Sequence, residues 1–207
     1  NGVVVTGNHS VYNSNLGWIP VERHPGAELI ANYDEKYVYC LNTNTKTIRI
    51  NGMIFSDWDD LDDADLERLA SKCDDLPADF KIKDINKYID NGLVGETLIK
   101  IKSPNLGNDE NMIELQNITP GDVLATGEIV TGIMKINAAD KQITKYVFNN
   151  CSIKGYNIKF DNKNLGVKLD ALEAPEFLYH MITNTGNFTV GNVRVKHYNA
   201  VIEDCLE

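Results

Sequence analysis

Short apolar runs alternate with polar turns along almost the whole chain. VVV from Val3, YVYCL from Tyr37, TIRI from Thr47, MIF from Met53, TLIKIK from Thr97, IVTGIMKI from Ile129, KYVF from Lys145, YNIKF from Tyr156, FLYHMI from Phe177, FTV from Phe188 and VRV from Val193 are rich in β-branched and aromatic residues. Asn, Gly, Asp and Pro separate them, so each run reads as a strand closed by a turn, and the pattern predicts a mainly β chain. One segment breaks the pattern. Between Asp57 and Gly92, Leu61, Leu66 and Leu69 recur at helical spacing, Pro77 ends the first helical piece, and 84–89 predicts a second short helix. The acid-rich stretch 57–75 is expected to be the solvated face of that helix, since it lacks the spacing of a calcium loop. Trp18 and Trp58 are expected to anchor the core.

Self-similarity organises these runs further. YVYCLNTNTKTIRINGMIFSDWD, from Tyr37, aligns without gaps on FLYHMITNTGNFTVGNVRVKHYN, from Phe177. Tyr39 falls on Tyr179, Thr43-Asn44-Thr45 on Thr183-Asn184-Thr185, Ile48 on Phe188, Ile50 on Val190, Phe55 on Val195 and Trp58 on Tyr198. A weaker match joins NLGWIPV, from Asn15, to NLGVKL, from Asn164. Two copies of one β module are expected: the C-terminal half of a first module in 1–60, an acidic helical linker in 61–91 and a second module in 92–207. The second copy is fronted by GLVGETLIKI and IELQNITPGDVLATGEIVTGIMKI; the counterpart for the first would lie before Asn1, about sixty residues by the same repeat reasoning.

Composition narrows the chemistry. A 207-residue chain that is 43% hydrophobic can bury one large core or two small ones. Thirty acidic against 20 basic residues give a net charge of -10, which repels a phosphate backbone and argues against nucleic acid as a partner. No apolar stretch reaches the length of a membrane-spanning helix, so a membrane partner is not expected. Cys40, Cys73, Cys151 and Cys205 form no CxxC pair and are expected to be reduced, which fits a reducing intracellular environment. His9, His24 and Cys40 lack the tight ligand pair of a zinc site, and neither metal nor cofactor is expected. Phosphate loops, GxSxG and dinucleotide fingerprints are missing from the sequence, so a conventional metabolic enzyme finds no support.

Several of these motifs together resemble the Hint fold of hedgehog autoprocessing domains and inteins. VVVTGNH is similar to the family motif in which Thr and His face the scissile peptide, and YVYCLNTNTKTIRINGMIFSD to its paired-strand C-terminal block. GLVGETLIKI is similar to the N-terminal motif, and GDVLATGEIVTGIMKI to the turn and strand that follow it. The resemblance implies a Hint-like β fold with pseudo-repeated modules and a short helical linker. It also implies that Thr6 steadies the oxyanion or strains the peptide, and that His9 protonates the leaving amide nitrogen. Asp57 either orients His9 or caps a helix beginning at Trp58.

The departures from the family pattern are specific. The nucleophile position in the second copy falls on Gly92, and Gly155-Tyr156-Asn157-Ile158 stands where the first copy has Thr6-Gly7-Asn8-His9. The first copy ends Ser56-Asp57 and the second Lys196-His197, where splicing needs His-Asn. The resemblance therefore implies at most an N-terminal autoproteolytic cleavage that needs a Cys or Ser upstream. Its expected partner is an upstream segment of the same precursor or another protein subunit. The alternative is a structural or interaction component of a large assembly such as a virus particle, built from inactive Hint-like modules.

Overall fold

The computed structural model describes residues 2–72, 76–102, 110–149, 151–161 and 167–206. They fall into two compact units, 1–86 and 87–207. The first unit is built on β1 (Ser10–Asn13) and β2 (Gly17–Pro20), paired antiparallel with Val11 opposite Ile19. Asn13 closes their turn: its Oδ1 accepts the Asn15 N–H at 2.9 Å and the Leu16 N–H at 3.2 Å. A second hairpin joins β3 (Thr47–Ile50) to β4 (Met53–Ser56) through Asn51 and Gly52, whose φ angles are 48° and 82°. Asn-Gly is the pair that a two-residue hairpin turn with positive φ selects, so this turn was written in the sequence. β4 also pairs with β1, with Val11 opposite Phe55, and the sheet runs β2-β1-β4-β3. Both of those side chains are buried.

α1 (Asp63–Lys72) starts where Asp62 Oδ1 accepts the Asp65 N–H at 2.9 Å. Leu61, Leu66 and Leu69 are buried, as their spacing predicts, while most of the acidic side chains around them face solvent. Other expectations change. Neither 3–5 nor 37–41 forms a strand, although both have strand composition. Trp18 and Trp58 are 48% and 37% exposed and do not anchor a core; Trp18 instead meets the Tyr12 ring edge-on at 5.6 Å.

α2 (Asn86–Ile89) leads into the second unit. There β5 (Gly92–Val94) is followed by the hairpin of β6 (Leu98–Lys102) and β7 (Glu110–Glu114), and then by β8 (Val130–Asn137), β9 (Ile143–Val147), β10 (Ser152–Tyr156), β11 (Val167–Leu172) and β12 (Phe177–Thr183). Six of these form one antiparallel sheet in the order β11-β9-β10-β5-β12-β8. The hairpin of β13 (Asn187–Val190) and β14 (Val193–Lys196) and the helix α3 (Ala200–Leu206) complete the unit. The chain is thus mainly β. The match expected from Asn164 falls partly on 164–166, outside the described residues.

β5 sits unusually close to its neighbours. A Cβ on Gly155 of β10 would stand 2.1 Å from the Gly92 carbonyl oxygen, and one on Gly92 would stand 2.9 Å from the Leu178 Cβ. Only glycines let these three backbones approach. Leu93, Ile99, Leu115, Ile153, Met181 and Phe188 fill the core on this sheet.

β12 also buries His180. Burial pushes its imidazole down to about 4; the Met181 backbone bond opposes the shift and the neighbouring His197 adds to it. Its Nδ1 lies 2.9 Å from Met181 N, and among the described residues its Nε2 has no hydrogen-bond partner. The folded chain therefore keeps His180 neutral where the unfolded chain would protonate it. Stability from this residue is complete above pH 6.5 and is lost as pH falls toward about 4, a total of about 3 kcal/mol. Urea titrations across that window should show the slope, and His180→Leu should flatten it; an unchanged slope would assign it to other groups.

Candidate functional site

The segment bearing Thr6 and His9 is a tight turn fixed to the first hairpin. The His9 N–H donates to Thr6 O at 3.1 Å, the Val21 N–H to His9 O at 2.9 Å and the Glu22 N–H to Gly7 O at 2.8 Å. The half-buried His9 ring stacks on Phe55, with centroids 6.0 Å apart and planes at 27°. Its Nε2 lies 3.1 Å from Ser56 O. A carbonyl oxygen can only accept, so Nε2 carries the proton and Nδ1 is the atom left to exchange one. β4 thus positions His9 twice, through the Phe55 ring and the Ser56 carbonyl.

Thr6 and His9 line a common cleft of about 570 Å³. Val4, Val5, Val38, Tyr39 and Cys40 line it too. Thr6 is exposed, so its hydroxyl can meet an incoming group. Cys40 is a free thiol exposed in this cleft, where its Sγ contacts Leu41 O at 3.7 Å. Partial burial of the sulfur pushes the thiol up, the Leu41 bond opposes this, and the carboxylates of Asp57, Asp59 and Asp60 push it up further. Cys40 is therefore held as a thiol and is not an activated nucleophile. No spacing signal separates it from the other cysteines.

Asp57 is placed elsewhere. It is fully buried, and its Oδ2 accepts the Thr43 N–H at 2.8 Å while its Oδ1 accepts the Asp59 N–H at 3.2 Å. Lys46 Nζ lies 3.6 Å from the same Oδ2 and 2.5 Å from Asp59 Oδ2. Burial pushes the Asp59 carboxyl up, and Lys46 opposes that shift. These bonds commit the Asp57 carboxylate to the loop before β3. It caps no helix, because α1 begins only at Asp63 and Asp62 takes that role. His24 is held by bonds within its own unit: Nδ1 accepts the Gly26 N–H at 3.1 Å, and Nε2 meets Asn13 Nδ2 at 3.3 Å.

The loops before β3 and β13 carry the same bonds at aligned positions. Thr43 Oγ1 donates to Thr47 O at 3.3 Å, and Thr183 Oγ1 to Asn187 O at 2.8 Å. The Trp58 N–H donates to Leu41 O at 2.9 Å, and the Tyr198 N–H to Met181 O at 3.1 Å. Ile48 faces Phe55 as Phe188 faces Val195. Where Asp57 takes the Thr43 N–H, His197 Nδ1 stands 3.4 Å from Thr183 N. A larger cleft of about 800 Å³ lies in the second unit, lined by Thr97, Cys151, Ser152 and Val190 among others. Gly155 and Ile158, which align with Thr6 and His9, are not in its lining and carry neither hydroxyl nor imidazole. No protein-family model matches the chain, and a search of curated proteins finds no match.

Proposed function

We propose that the first unit belongs to a Hint-type autoprocessing module of the hedgehog and intein kind, and that Thr6 and His9 are its catalytic residues. The observation that carries the reading comes from the second unit. Two separate alignments put the nucleophile position at Gly92 and the counterpart of Thr6 at Gly155, and β5 and β10 lie side by side with Gly155 opposite Leu93 and Tyr156 opposite Gly92. A Cys or Ser at the Gly92 position of the first module would accordingly lie opposite Gly7, next to Thr6. Thr6 carries a Cβ where Gly155 has none, so the carbonyl that sits 2.1 Å from that point in the second unit would have to give way. That carbonyl belongs to the nucleophile residue itself, so the displacement acts on the residue whose amide nitrogen departs, one peptide beyond the scissile bond.

In the reaction the nucleophile's sulfur or oxygen bonds to the preceding carbonyl carbon and the carbon–nitrogen bond breaks. His9 Nδ1, unprotonated in the tautomer that Ser56 O holds, takes the proton lost by the nucleophile and passes it to the departing nitrogen. The Thr6 hydroxyl donates to the oxyanion, and water then cleaves the ester or thioester. Asn cyclisation has no residue at Ser56-Asp57 to perform it, so the reading stops at N-terminal cleavage. The test is intact-mass analysis of a polypeptide carrying this chain behind its encoded upstream sequence. Fragments cut before a Cys or Ser are expected; an uncut product would overturn the reading.

A second reading, a structural or interaction component of a large assembly such as a virus particle, is favoured by the exposed Val38, Tyr39, Leu41 and Leu29. Sedimentation should then show species larger than a monomer, and a monodisperse monomer would overturn it.

A further inference from the structure

We propose that the cleft of the first unit seats one strand of another polypeptide, laid antiparallel between 4–6 and 38–40. The proposal rests on the alignment of the two units used above and not on the cleavage chemistry.

In the second unit β5 pairs on one side with β10, through Gly155 and Tyr156, and on the other with β12, where Leu178 faces Val94 and Tyr179 faces Leu93. The aligned positions in the first unit are Thr6 and Gly7, and Val38 and Tyr39. Thr6, Val38 and Tyr39 line the cleft, so where the second unit has a strand the first has about 570 Å³ of open space. The exposures agree. Leu178 and Met181 are fully buried, whereas their counterparts Val38 and Leu41 are 67% and 62% exposed. Apolar extended segments left bare in this way are the usual seats for β-augmentation.

β5 also states what the occupant must be. Its first residue is small, because a Cβ at Gly92 comes within 2.9 Å of Leu178, the counterpart of Val38. Its second is a large aliphatic, as the fully buried Leu93 is, and its third is Val94. The occupant is thus an extended small–aliphatic–aliphatic segment with both backbone edges free to bond.

The probe is a synthetic peptide with the sequence of 91–102, NGLVGETLIKIK, added to the full 207-residue chain. Alkylation of Cys40, located by peptide mass mapping, should slow about tenfold at saturating peptide as the added strand covers the thiol. Cys151 should react unchanged. A peptide with Pro in place of Leu93 should give no protection, since it lacks a ladder donor. Val38→Glu, at an exposed position, should abolish protection, read as the ratio of the Cys40 rates of that variant with and without peptide. An unaffected Cys40 rate, equal protection by the Pro peptide, or protection that rises with protein concentration alone would each overturn the proposal, the last by assigning the cleft to a second copy. Protection without cleavage of the longer polypeptide would overturn only the autoprocessing reading; cleavage without protection would overturn only the seat.

Discussion

His9→Ala is expected to slow N-terminal cleavage by about 10²- to 10⁴-fold, the range that a positioned general acid supplies. The measurement is the rate constant for appearance of the cleaved fragment from a polypeptide that carries a Cys or Ser upstream, as the proposed autoprocessing reading requires. The size of the effect follows from how firmly the ring is held. Phe55 fixes its plane and Ser56 O accepts the Nε2–H hydrogen bond, which on the proposed reading leaves Nδ1 to relay the proton to the departing nitrogen. A turn histidine with no chemical role would cost only its stacking and one hydrogen bond, about 1 kcal/mol of stability, and would leave the cleavage rate of the folded fraction intact. The two roles therefore separate in one experiment that reads both the rate and the melting temperature. Thr6 offers the companion test. Thr6→Ser keeps the hydroxyl and should retain most activity, while Thr6→Ala should lose about 10²- to 10³-fold, as expected for removal of one oxyanion donor.

What could be read from the sequence was local. Asn51-Gly52 fixes its hairpin because few other pairs accept two consecutive positive φ angles, and Leu61, Leu66 and Leu69 mark a buried helical face by spacing alone. The segments 3–5 and 37–41 show the limit of such reading. Their composition equals that of strands that do form, but β propensity expresses packing against neighbours, and neither segment joins a ladder among the described residues. Trp18 and Trp58 fail as core residues in the same cleft-bearing unit, where large side chains face outward.

The candidate site divides along the same line. Thr6 and His9 lie close in sequence, so their spacing carried the signal. The Ser56 carbonyl and the Phe55 ring that hold His9 lie on β4, and Cys40 enters the cleft from a third segment; no local pattern links these three places. Asp57 was singled out for its place at the end of the block, whereas its bonds belong to the loop before β3. The reason is visible in the composition of 57–65, where six aspartates compete for two jobs: Asp57 is tied to Thr43 and Lys46, and Asp62 takes the helix cap.

Asp57→Ala should accordingly cost stability rather than chemistry, by about 3–5 kcal/mol, the range for removing one partner of a buried ion pair. It strips acceptors from the Thr43 and Asp59 N–H groups and leaves the buried Lys46 with Asp59 as its remaining carboxylate. Urea unfolding of the first unit measures the loss; a cost below 1 kcal/mol would show that the loop does not depend on this carboxylate. The second unit suggests how the loss can be repaired. At the positions of Lys46, Asp57 and Asp59 it has Gly186, His197 and Asn199, the same fold of loop with the His197 Nε2 held 2.8 Å from the half-exposed Glu203 in place of the Lys46 pairs. Asp57→His alone should remain strongly destabilising, since an imidazole would face the Lys46 ammonium. Adding Lys46→Gly removes that charge and suits the positive φ of 55° at this position, and Asp59→Asn removes the carboxylate that Lys46 had balanced. The triple exchange should recover most of the stability lost by Asp57→His, with a coupling of at least about 1 kcal/mol because the three side chains share partners. Additive losses would instead mean that the two loops, alike in their backbone bonds, are held by unrelated means.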